Sequence, residues 1–169
     1  EQWNNNYDDH SSHSSNSSSS NNKNTRTVGA SKFCCNFPRR IKGPIINKII
    51  IGRGTHRVDK DIGQRKECYL HINSPNMIIS GDPNVPKEDI IIDGCIYVNQ
   101  TGVQISNLSI GHRHGTALYG EKSYALNNVT VLQSNWGIGA GGGHVIATCN
   151  NVEVKYCTRS GVIALNNGT

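Results

Sequence analysis

The feature that most constrains this chain is a short strand motif that keeps returning. Asn107-Leu-Ser-Ile comes back as Asn128-Val-Thr-Val and again as Asn151-Val-Glu-Val, at intervals of 21 and then 23 residues. A second element keeps step with it. Gly115-Thr, Gly137-Ile and Gly161-Val follow the Asn by eight to ten residues, and each opens another short apolar segment. The repeating unit is therefore a whole turn of chain and not a single strand.

Aligning the three copies produces columns of matching chemistry. Val103, Tyr124 and Ala147 form one, Ile105, Leu126 and Cys149 the next, then Leu108, Val129 and Val152, then Ile110, Val131 and Val154. Leu118, Ala140 and Ala164 are expected to form a fifth. Residues two apart on a strand point to the same side, so these columns are expected to fill one continuous interior. A repeat of this length, built of short strands and turns without helical periodicity, is too short for a propeller blade and predicts a solenoid of stacked strands. The fold expected is all-β, a right-handed parallel β-helix.

The Asn column fits that reading, because Asn amides at a turn can hydrogen-bond their counterparts one coil above and below. The predicted structural ladder comprises Asn107, Asn128 and Asn151 with Gly115, Gly137 and Gly161. The pattern N-[VL]-x-[VI], a polar turn and G-[VI]-x-[AL], from about Tyr69 to the C-terminus, resembles the right-handed β-helix repeat of the pectin-lyase-like superfamily. That resemblance implies a fold and leaves function open, since the superfamily includes lyases, hydrolases, phage tailspikes and modules without catalysis.

Composition agrees with a narrow core: 35% hydrophobic residues, with only two Phe and two Trp. No run reaches the roughly 18 apolar residues of a membrane span. The six Cys show no CxxC pair, which argues against zinc and against a dense disulfide scaffold. Cys95 and Cys149 are expected to be buried free thiols. The chain opens Glu1-Gln2-Trp3, so a processed product or a piece of something longer is expected, with further coils or a partner covering the last coil.

Three regions follow in order. Residues 1–31 are an Asn/Ser-rich tail that buries too little to order by itself and is expected to lie along neighbouring subunits. Residues 32–66 form a basic arm and the first coil, and residues 67–169 the stacked coils. Positive charge is concentrated near the arm: residues 23–66 hold 12 of the 17 basic side chains against Asp59 and Asp61. Lys32, Arg39, Arg40, Lys42, Lys48 and Arg53 are the expected partner-binding residues, suited to an acidic protein surface or an acidic polysaccharide. Nucleic acid is the weaker alternative, because only Phe33 and Phe37 interleave the charges and no recognition motif is present.

Candidate chemistry centres on Gly111-His-Arg-His-Gly-Thr, whose His-Gly resembles the Gly-His-Gly element of polygalacturonases. Inverting hydrolysis requires two carboxyl groups roughly 6.5–9.5 Å apart, and the matching acidic elements are missing. The positions expected above His112 and His114 are Gln133–Asn135 and Tyr156–Thr158. Asp93, His112 and Arg113 remain the weak catalytic candidates. Two His without a third ligand do not make a metal site, and Gly137-Ile-Gly-Ala-Gly-Gly is followed by a strand pattern, which makes it a tight corner and not a dinucleotide fingerprint. No cofactor or metal is expected. If the chain is secreted, Asn16, Asn99 and Asn167 are the sequons expected to accept glycans, because Asn107 and Asn128 belong to the ladder.

These features point to a non-catalytic structural or attachment component of a large assembly, at a virion surface or vertex, or in an extracellular fibre or at a cell surface. The alternatives are a pectin-lyase-like carbohydrate-active enzyme or glycan-binding module, and an assembly protein that contacts nucleic acid through the arm.

Overall fold

The computed structural model describes residues 25–28, 47–58, 69–113 and 115–165. Thirteen strands fill these stretches: β1 (Thr25–Val28), β2 (Lys48–Ile51), β3 (Gly54–Arg57), β4 (Tyr69–Ile72), β5 (Ile78–Gly81), β6 (Ile90–Asp93), β7 (Cys95–Val98), β8 (Val103–Gly111), β9 (Thr116–Gly120), β10 (Tyr124–Leu132), β11 (Trp136–Gly141), β12 (Ala147–Lys155) and β13 (Ser160–Leu165). The first sheet runs β1-β2-β5-β8-β10-β12, with β3 and β6 joining it beside β8, and the second runs β4-β7-β9-β11-β13. Every pairing is parallel. The chain is an all-β parallel solenoid of about four turns.

The register explains why the strand motif repeats. Val103, Tyr124 and Ala147 are paired in file, as are Ile105, Leu126 and Cys149, and the Val129 and Val131 files continue to Val152 and Val154. Apolar residues stand two apart up to Ile105, then three apart at Leu108, then two apart again to Ile110. An unbroken alternation would turn Leu108 outward. The residue between the halves, Asn107, has φ 54°, and Asn128 and Asn151 repeat it at 55° and 50°. The strand pairing skips each of them. One left-handed residue thus resets the alternation and keeps both halves of the strand facing the core, with Ile105, Leu108 and Ile110 fully buried. Asn adopts this conformation at less cost than most side chains.

The amides of these bends form a file along the axis. Asn128 Nδ2 donates to Asn107 Oδ1 at 3.0 Å, and Asn151 Nδ2 donates to Asn128 Oδ1 at 2.8 Å. Contrary to the inaccessibility expected for them, Asn107 and Asn128 are half-buried, and Asn151 is exposed. The bend carries the amide to the outer edge of the coil, where the side chains stack beside the backbone. In the two lower coils the same bend is made by interruptions of the strand: Gly52-Arg53 between β2 and β3, and the insertion Asp82–Asp89 between β5 and β6. Gly81 lies below Asn107, and a Cβ there would overlap the Asn107 carbonyl oxygen.

The glycine column is corrected by the register. Gly137 stacks on Ala117 and Gly161, whereas Gly115 stands below Asn135. The turn Gln133–Asn135 is one residue shorter than the turns His112–Gly115 and Tyr156–Arg159. Aligning the three glycines misplaces β9 by two residues, because Gly115 follows Asn107 by eight residues and Ala117, the partner of Gly137, by ten. For the same reason Leu118 stacks on Ile138 and Val162, while Ala140 and Ala164 continue a different file. The two-residue slip preserves the side each residue faces, so alternation alone gives no warning of it.

Cys95 is buried and its thiol donates to the Thr116 carbonyl, whereas Cys149, expected to be buried, is exposed. Its file is interior, but no described coil covers β12. Strand β1 falls within the predicted tail, where the β-branched Thr-Arg-Thr-Val pairs alongside β2. The rest of residues 1–31 and all of 32–46 lie outside the described residues.

Replacing Asn128 by Gly, which keeps the bend and removes two ladder hydrogen bonds, is expected to lower unfolding stability by about 1–2 kcal/mol. Asn128→Ala should lose about 1–2 kcal/mol more, because Ala must adopt the left-handed conformation. Denaturant unfolding of the two variants measures both effects, and equal stabilities would contradict a conformational role for the Asn.

Candidate functional site

The turn after β8 is held by the backbone. Asp93 pairs in register with Gly111, directly before His112, and the Gly94 N–H donates to the Gly111 carbonyl at 2.8 Å. His112 is half-buried and packs against Gly115, where a Cβ would press on its ring. Above it, Asn135 N–H donates to the Gly115 carbonyl at 3.0 Å, and Thr158 N–H to the Ser134 carbonyl at 2.9 Å. Continuing the register beyond Gly111, Leu132 and Lys155 places Gln133 and Tyr156 over His112. No carboxylate stands in that file.

Asp93 is committed elsewhere. Its Oδ2 lies 3.3 Å from Arg57 Nε, and Arg57 is its register partner one coil below. Arg113 is exposed on the turn. The structure thus brings Asp93 and His112 to neighbouring positions, and among the described residues the register file above His112 holds Gln133 and Tyr156. His114 lies outside the described residues. Among the described residues, no three His, Cys, Asp or Glu side chains gather as metal ligands do.

Of the six partner-binding residues expected on the arm, Lys32, Arg39, Arg40 and Lys42 lie outside the described residues. Lys48 is half-buried at the start of β2, and Arg53 is in an ion pair of 3.4 Å with Asp89. Among the sequons, Asn16 and Asn167 are likewise outside. Asn99 is half-buried, and its Nδ2, the atom a glycan would take, donates to Asn73 Oδ1 at 2.7 Å.

A file of aromatic residues on the second sheet went unnoticed in the sequence. His71, Tyr97 and Tyr119 are register partners on β4, β7 and β9. The rings of His71 and Tyr97 lie 5.1 Å apart at 58°, and those of Tyr97 and Tyr119 lie 5.8 Å apart at 29°. Each follows an inward aliphatic residue: Leu70, Ile96 and Leu118 are buried, so the rings face out. Next in file stands Gly139. Tyr119 lies across Gly139 and Gly141, and a Cβ at Gly141 would collide with its hydroxyl. At the start of β11, the guanidinium of Arg159, in the turn before β13, sits 4.9 Å over the Trp136 ring, a cation–π contact. The spacings between the three residues are 26 and 22, the second matching the repeat of the later coils and the first longer by about three residues, and they are the signal by which the file is readable.

Two phenols are perturbed. Burial, and then the hydrogen bond and charge of Glu121, push Tyr97 up to about 12. Burial pushes Tyr124 higher still, with a smaller contribution from Cys149, and its hydroxyl donates to the Gly139 carbonyl at 2.9 Å.

No family model, curated protein or solved structure matches this chain. No described helix is long and apolar enough to cross a membrane.

Both phenols are protonated in the folded chain at a pH where an unfolded phenol, with a pKa of about 10, has begun to ionise. The unfolded state therefore binds fewer protons, and stability is expected to be full below about pH 10 and to fall as pH rises towards about 12. Unfolding measured across that window should show the decline. Tyr124→Phe should flatten it while costing about 1 kcal/mol near neutrality, because the Gly139 carbonyl loses its donor. A pH-independent stability in the parent chain would contradict the assignment.

Proposed function

We propose that this solenoid is a non-catalytic structural or attachment component of a large assembly, related to the pectin-lyase-like superfamily in its coil and not in its chemistry. The observation that carries this reading is the outer face of the second sheet. There His71, Tyr97 and Tyr119 form an outward aromatic file with His71 exposed and both tyrosines half-buried, and the Trp136–Arg159 pair stands at the start of β11 and the turn before β13. Tyr, Trp and Arg are the side chains enriched where proteins bind one another, since they bring large rigid area at low entropic cost. A stack of parallel strands keeps such a face flat and fixed. Asp93, tied to Arg57, and the carboxylate-free file above His112 weigh against turnover. A virion surface or an extracellular surface is the setting this reading favours.

A second reading, a glycan-binding module, is favoured by a groove of about 470 Å³ between the Asp82–Asp89 insertion and the Asn file.

A photo-reactive aromatic residue placed at Tyr119 is expected to capture a neighbouring subunit in the source material, and Arg159→Glu should abolish that capture. The same probe at Thr55, on the first sheet, should capture nothing. Equal labelling from both positions, or none from Tyr119, would contradict the attachment face. Incubated with uronan and neutral polysaccharides, the chain should release no product. Turnover lost in Asp93→Asn or His112→Ala would instead establish an enzyme.

A further inference from the structure

We propose that the groove between the insertion and the Asn file binds a single uncharged pyranose unit of a glycan. This rests on the glycan-binding reading and is independent of the attachment face.

The groove is built before any ligand arrives. Asp82 Oδ1 accepts hydrogen bonds from the backbone N–H and the Nδ2 of Asn84, at 2.9 and 3.1 Å, and Val85 N–H donates to the Asp82 carbonyl at 3.1 Å. Asp89 N–H donates to the Pro86 carbonyl at 3.0 Å, and Asp89 is held by Arg53. The far end is pinned to the sheet, where the buried Ser109 hydroxyl donates to the Lys87 carbonyl at 3.0 Å. Pro83 and Pro86 reduce the freedom the loop would otherwise lose on binding.

The walls and floor differ in chemistry. Pro83, Val85 and Pro86 contribute an apolar wall from the insertion, and Asn107 and Asn128 line the groove from the Asn file. Within the file Asn128 uses one N–H and one lone pair and Asn107 one lone pair, which leaves further donor and acceptor capacity. The file also ends here. Gly81 stands below Asn107 where another Asn would continue it, so Asn107 Nδ2 has no amide beneath it to donate to. Paired amide donors and acceptors match vicinal hydroxyls, while a proline wall suits the C–H face of a sugar ring. Lys87 and Glu88 contribute one charge of each sign. That balance favours a neutral polyhydroxy ligand over a uronate, a phosphate or a charged peptide. The volume lies within the range of about 300–1,000 Å³ typical of small-molecule sites.

The test is an NMR titration of the full chain with methyl glycosides of glucose, galactose and mannose. Galacturonate, inorganic phosphate and an uncharged tetrapeptide serve as comparisons. At least one neutral glycoside is expected to shift the side-chain amide signals of Asn107 and Asn128 saturably. Val85→Trp, which fills the groove and leaves the file intact, should weaken that binding at least tenfold. Asn107→Gly, which keeps the bend, should do the same. Stronger binding of galacturonate, phosphate or the peptide would overturn the proposal. Binding of a neutral glycoside that both variants retain would overturn the groove and leave the glycan reading standing, whereas no saturable binding of any glycoside would remove both.

Discussion

The structure depends on keeping an apolar face turned inward while a strand changes direction. A coil this narrow cannot close if its strands run straight, and a strand that merely bends loses its alternation. One residue with positive φ resolves both problems, and stacking then makes the solution collective. Because Asn107, Asn128 and Asn151 occupy the same place in successive coils, the amide that tolerates the bend also meets its neighbour's amide. The columns of Ile, Leu and Val inside and the file of Asn at the edge are two consequences of one register.

Where the register is held so firmly, the connections between strands are free to differ. The turn after β10 is one residue shorter than its neighbours, and the insertion at Asp82–Asp89 replaces a single residue by a folded loop, yet the paired strands on either side remain in file. Such segments, not the strands, are where a solenoid acquires individual chemistry. In this chain they supply the proline wall beside the Asn file and the turn that carries His112. The flat sheets contribute surface of a different kind, seen in the outward stack of His71, Tyr97 and Tyr119.

Much of the scaffold was legible in the sequence because period and alternation are one-dimensional signals. Four interior columns of the first sheet follow directly from the returning Asn, and so does its ladder. The second sheet was less readable. Gly137 and Gly161 are in file, but Gly115 stands two residues before Ala117, the partner of Gly137, and a slip of two leaves every residue facing the same way. Cys149 was placed correctly in its file but not in its exposure, which depends on whether another coil lies above. The aromatic file escaped because attention to inward residues passes over the outward ones between them. The groove was unreadable for a deeper reason: the insertion and the Asn file meet only through folding, and no spacing in the sequence records where a loop will lie.

The most direct test of this account is whether the three Asn side chains stand in one line. In a side-chain amide NMR experiment on the full chain, nuclear Overhauser contacts are predicted from the Asn128 Nδ2 protons to those of Asn107 and of Asn151, with none linking Asn107 to Asn151. Resolved amide signals from all three residues without the two predicted contacts would contradict the in-register stack on which the fold and both surfaces depend.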